Sequence, residues 1–72
     1  MTNRHFADTR AKVAETIEHA AFLHADQTVS VFRKAGHGTL VPIGAGRWED
    51  GIILGSGVNC GVLVHLERQL RA

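Results

Sequence analysis

The sequence predicts an α+β domain: one N-terminal amphipathic helix packed on a three- to four-stranded antiparallel β-meander, a sheet short enough to curl into a small barrel. Two observations carry that expectation. Apolar residues before residue 25 recur at helical spacing, and all eight glycines fall at or beyond Gly36, separating short runs rich in Val, Ile and Leu. A third bounds it: 72 residues hold one core, and a chain this short buries only about 60% of the surface it exposes when unfolded.

The helix is expected over about residues 6–24. Phe6, Val13, Ile17, Ala20, Ala21 and His24 share one arc, while Asp8, Arg10, Lys12, Glu15 and Glu18 lie largely off it. The stretch holds no Gly or Pro, and Asn3 or Asp8 serves as a cap. After the Ala25-Asp26-Gln27 connection the meander is expected over about 28–66. Thr28 to Arg33 is its first strand, Gly36-His37-Gly38 a turn, and Thr39 to Ile43 a second strand, at an edge or bulged because Pro42 has no N–H to give to a ladder. Gly44-Ala45-Gly46 reads as another turn, and Asp50-Gly51 as a tight turn before Ile52-Ile53-Leu54. Val62, Val64 and Leu66 alternate with Leu63 and His65, which gives a last strand over Cys60 to Leu66 and leaves residues 67–72 as a charged tail.

Eight Lys and Arg against seven Asp and Glu leave a net charge of +1, with only Arg33 and Lys34 adjacent, so no phosphate-binding stripe is written into the chain. Cys60 is the only cysteine, which excludes an internal disulfide and suits a reducing compartment. No apolar run approaches the ~18 residues of a membrane span, and the first residues lack a signal peptide's apolar stretch. The expected location is the cytoplasm, or a virion if the chain is phage-encoded.

Chemistry is tested by spacing. The five histidines include no i, i+4 pair on the expected helix and there is no Cys-x-x-Cys, so no metal site is expected. Cys60 and His65, five apart on a strand, would stand about 17 Å from each other on opposite faces. The Gly-x-Gly triplets at 36–38, 44–46 and 55–57 sit between strands, where they are turn residues and not a phosphate cradle. No cofactor and no catalytic residue is expected, and the chain is read as a non-enzyme.

Protein contact remains. Trp48, the only Trp, lies in the polar segment Arg47-Trp48-Glu49-Asp50, suited either to anchoring a partner or to closing the core as a lid. If Val29, Val31, Val62, Val64 and Leu66 face the helix, then Phe32, Leu63 and Ile53 point away and form a second apolar face that needs a cover. Phe32, Arg47, Trp48 and Leu63 are therefore the expected interface, with self-association or a larger assembly as partner. In element order, a helix and then a glycine-punctuated sheet with Val29 to Ile43 followed by Arg47-Trp48-Glu49-Asp50, the chain resembles small head-to-tail joining and minor virion proteins of tailed bacteriophages. That resemblance implies a structural, assembly role and assigns no functional residue. A helix followed by a bent sheet is also similar to Sm-like RNA-binding rings. The Asn-Gly turn with a following Leu-x-Gly is missing here, however, and Val64-His65 takes the place of that family's Lys-His pair. A small inhibitor acting by surface contact is a further alternative.

Overall fold

The computed structural model describes residues 10–72. They form a five-stranded antiparallel sheet followed by one helix: β1 (Arg10–Glu15), β2 (His19–His24), β3 (Thr28–Lys34), a 3-10 turn at Gly36–Gly38, β4 (Leu40–Glu49), β5 (Ile52–Leu54) and α1 (Cys60–Arg71). The strands pair in chain order, β1-β2-β3-β4-β5, as a half-barrel open along one side.

This overturns the expected arrangement at both ends. Residues 10–24 are a β-hairpin, not a helix, and α1 occupies the place of the expected last strand and charged tail. Phe6, Asp8 and the cap candidates Asn3 and Asp8 lie outside the described residues. A helix over 6–24 would have hidden Val13 and Ile17 on its apolar arc, yet they are 50% and 91% exposed. In the hairpin, Ala14, Ala21 and Leu23 enter the core instead, with Ala14 directly opposite Ala21. Thr16 closes the tip: its N–H donates to the His19 carbonyl at 2.9 Å, and its hydroxyl accepts from the His19 N–H at 3.1 Å.

At the other end, the alternation of Val62, Val64 and Leu66 is coincidental. The working period is helical, for Leu63, Leu66 and Leu70 are buried while Val64 is 42% exposed. Asn59 starts the helix, its Oδ1 accepting from the Gly61 N–H at 2.7 Å. The stretch read as a charged tail is the last turns of α1, where Arg68 and Arg71 suit the negative end of the helix dipole.

The core lies between the concave face of the sheet and α1. Ala14, Ala21, Leu23, Val29, Val31 and Ile53 meet Leu63, Leu66 and Leu70, with Trp48, Val58 and Val62 packed around them. Gly44 and Gly46 belong to the interior of β4, opposite Val31 and Val29, and not to a turn. After β5 the chain crosses their bare backbone on its way to α1. A Cβ on Gly44 would lie 2.6 Å from both the Ser56 carbonyl oxygen and Val58 Cγ2, and one on Gly46 would run into the Leu54 carbonyl oxygen.

Other turn signals hold. Asp50 and Gly51 take φ of 53° and 82° and join β4 to β5 in a two-residue hairpin. Beside Pro42, Ile43 bulges out of the β3–β4 register, and β5 pairs only with residues 47–49 of β4, so no strand flanks Pro42 on its outer side. At the β2–β3 turn Asp26 Oδ1 accepts from the Thr28 hydroxyl at 2.6 Å and from its N–H at 3.0 Å. Those two bonds, the hydroxyl's first, hold the Asp26 carboxyl below the usual carboxylate range.

Gly46→Ala should therefore destabilise the fold by about 2–3 kcal/mol, a fall in Tm of roughly 10 °C or more for a domain this small, whereas Gly36→Ala, whose Cβ meets nothing within 4 Å, should be nearly neutral. Thermal melts of the two variants check the pair. Because Asp26 has a depressed pKa, the support it gives the turn is complete above the ordinary value of about 3.9 and is lost as pH falls through the lower folded value. Thr28→Val should raise that pKa toward the ordinary value, which an NMR titration of the Asp26 carboxyl carbon reads directly.

Candidate functional site

Alternation along each strand divides the sheet into two faces, and α1 covers only the inner one. Outward-facing positions follow from the register. Val13, Phe22, Ser30 and Ala45 form one row across β1 to β4, and Glu15, Ala20, Phe32 and Pro42 form the next. Ile52 and Leu54 carry the face onto β5, 42% and 41% exposed. Phe22 and Phe32 stand diagonally across the β2–β3 pair, their ring centroids 5.3 Å apart and the planes tilted by 45°. Both are half-buried.

Polar groups frame these apolar side chains. Lys34 pairs with Glu15 on one flank and Arg47 with Glu49 at 3.1 Å on the other. His24 Nε2 and Ser30 Oγ meet at 2.9 Å. The face thus has an aromatic centre and a rim of charges already neutralised within the chain.

The four residues expected at an interface do not share a surface. Phe32 stands at the centre of the outer face and Arg47 on its rim. Trp48 is on the inner side, opposite Ile53 and packed against the core, still partly exposed. Leu63 is a core residue of α1, 7% exposed, and Ile53 is 5% exposed, so neither reaches the second apolar face. Phe22, Val13 and Leu54 take their place. Sequence reasoning missed Phe22 and Val13 because it laid them on a helix. The signal was the strand alternation of Ala20, Phe22 and His24 outward against Ala21 and Leu23 inward.

Side chains of α1 take up backbone groups on both edge strands of the sheet. At the end of β1 the Gln69 amide imitates a neighbouring strand. Its Oε1 accepts from the Glu15 N–H at 2.8 Å and its Nε2 donates to the Glu15 carbonyl at 2.7 Å. On β5 the Ile53 N–H donates to Glu67 Oε2 at 2.9 Å.

Chemical groups are dispersed by comparison. Among the described residues no three His, Cys, Asp or Glu side chains converge on a point that would hold a metal, and no polar or charged residue is buried. Cys60 is exposed in the first turn of α1, and His65 lies five residues further along the same helix. No helix among the described residues is long and apolar enough to cross a membrane. Comparison of the chain with protein-family models, with curated proteins and with solved structures finds no match in any of the three.

Gln69→Leu should free the Glu15 amide to exchange with solvent faster and reduce stability by about 1 kcal/mol, since it removes both bonds at an exposed edge. Residue-resolved hydrogen exchange at Glu15 measures the first effect and urea unfolding the second.

Proposed function

We propose that the chain is a non-catalytic protein-interaction module that docks through the outer face of its sheet. The observation behind this is the apolar outer face itself: Val13, Ile52 and Leu54 are 50%, 42% and 41% exposed on it, Pro42 is exposed beside the half-buried Phe32, and no described helix lies on that side of the sheet. Small single-layer sheets of this kind bury one face on their own helix and leave the other for a second surface. An aromatic centre inside a neutralised polar rim is also the composition of a protein-binding patch, in which desolvation of the middle supplies affinity and the rim excludes water.

Nucleic acid is the other class of partner that an aromatic sheet surface can serve, by stacking bases on exposed rings. Two features favour protein. The rings are tilted against each other by 45° and half-buried, so they offer no pair of open parallel faces, and Lys34 and Arg47 on this face are already engaged by Glu15 and Glu49. With a net charge of +1 the chain brings no excess of cations to a phosphate backbone.

The test uses the doubly charged surface variant Val13→Lys with Leu54→Lys, both positions being 41% exposed or more. Proteins retained by the immobilised wild-type chain are purified and titrated calorimetrically against both forms. Affinity should fall at least about tenfold for the variant while its Tm stays within about 3 °C of wild type. Equal binding by the two forms would place the interaction elsewhere. Chemical-shift changes confined to Phe22 and Phe32 on adding a single-stranded RNA oligomer would transfer the face to nucleic acid.

A further inference from the structure

A second surface lies on the opposite side of the hairpin. Between the β1–β2 tip and α1 runs a cleft of about 710 Å³, with Ile17, Glu18 and His19 on the hairpin side and Val62, His65 and Arg68 on the helix side. Ile17 is 91% exposed, whereas the other exposed large hydrophobic residues among those described are at most 50% exposed. A β-branched apolar side chain held almost wholly in water on the tip of a hairpin gains most by entering another surface.

We propose that the surface it enters is a second copy of this chain, joined as a two-fold dimer in which each tip seats against the other copy's helix wall. The two walls are chemically complementary. The tip presents an apolar side chain beside an anion, Ile17 and Glu18; the helix wall presents an apolar side chain beside cations, Val62 with Arg68 and, when protonated, His65. Among the described residues the side chains of Glu18, His65 and Arg68 make no hydrogen bond or ion pair, so the charges of the two walls are unspent across the cleft within one chain.

A two-fold axis matches each surface to its complement twice, because contact of i with j implies contact of j with i. Ile17 of each copy then covers Val62 of the other, and Glu18 of each meets Arg68 of the other. A foreign partner would have to reproduce both halves of a pattern that this chain already carries. The gain is also one that a 7.8 kDa chain needs, since small cores often draw added stability from association. This dimer uses a different surface from the outer face of the sheet, and leaves that face free.

Light scattering during size exclusion, over protein concentrations up to about 1 mM, tests the dimer. The mass should rise with concentration from 7.8 kDa toward twice that value. Ile17→Lys, Glu18→Arg and Arg68→Glu should each raise the dissociation constant about tenfold or more, and combining Glu18→Arg with Arg68→Glu should restore most of the loss. Circular dichroism of each variant establishes that it is folded. A constant 7.8 kDa mass at every concentration overturns the dimer. So does a dimer that the folded tip and helix variants leave intact and the Val13→Lys, Leu54→Lys variant abolishes, since association would then belong to the outer face. Loss of partner binding by that last variant, with a dimer still present, separates the two surfaces.

Discussion

The two edge strands of the sheet, β1 and β5, do not meet; α1 lies in the gap between them and bonds to both, and the half-barrel depends on that bridge. Its buried side carries Leu63, Leu66 and Leu70 into the concavity, where Leu66 and the strand residues Val29 and Val31 are fully buried. Its exposed shoulders carry the polar contacts. Gln69 pairs with the backbone of β1, Glu67 with that of β5, and Arg71 Nη1 donates to the Gly51 carbonyl in the β4–β5 turn at 2.7 Å. Lys12 closes the arrangement from the sheet side, its ammonium donating to the Leu70 and Ala72 carbonyls at 3.0 and 2.6 Å, where the helix has carbonyls without intrahelical partners and its dipole favours a cation.

That bridge can form only if the chain leaving β5 turns back over β4 at backbone contact distance. Gly44 and Gly46 make the approach possible by presenting no side chain, and Gly55 and Gly57, with φ of 75° and 76°, supply the reversal. The glycines thus do two jobs. Some turn the chain, and two let one segment lie on another. Once α1 fills the concave side, no other described helix or strand lies over the opposite face of the sheet. The exposure of Val13, Ile52 and Leu54 follows from the elements available among the described residues, one helix for two apolar faces.

Local turn chemistry was legible residue by residue. Asp50-Gly51, Gly36-His37-Gly38, the strand expected over 28–33 and found over 28–34, and the irregularity at Pro42 could all be placed because each rests on a constraint carried by one or two residues: left-handed φ, a missing N–H, or β-branched alternation. The two longer segments were exchanged, helix for strand and strand for helix. Residues 10–24 are rich in alanine and carry charges at helical offsets, while the β-branched Val62 and Val64 alternate with Leu63 and His65, so local pattern pointed the wrong way in both. Asn59 was the one local signal for α1, a capping residue before a stretch whose leucines recur at i, i+3 and i+7.

By itself, then, the sequence determined a small mixed α and β chain, several of its tight turns, and apolar residues beyond those the core hides. Tertiary structure alone decided which segment became the helix, that Leu63 and Ile53 are core while Val13 and Leu54 are surface, and that Ile17 is 91% exposed at a tip. The physical reason is the weakness of local preference. Tenths of a kcal/mol per residue separate helix from strand, and placing three leucines in a concave sheet outweighs that sum at the C-terminal end, as pairing β1 with β2 and β2 with β3 does at the start.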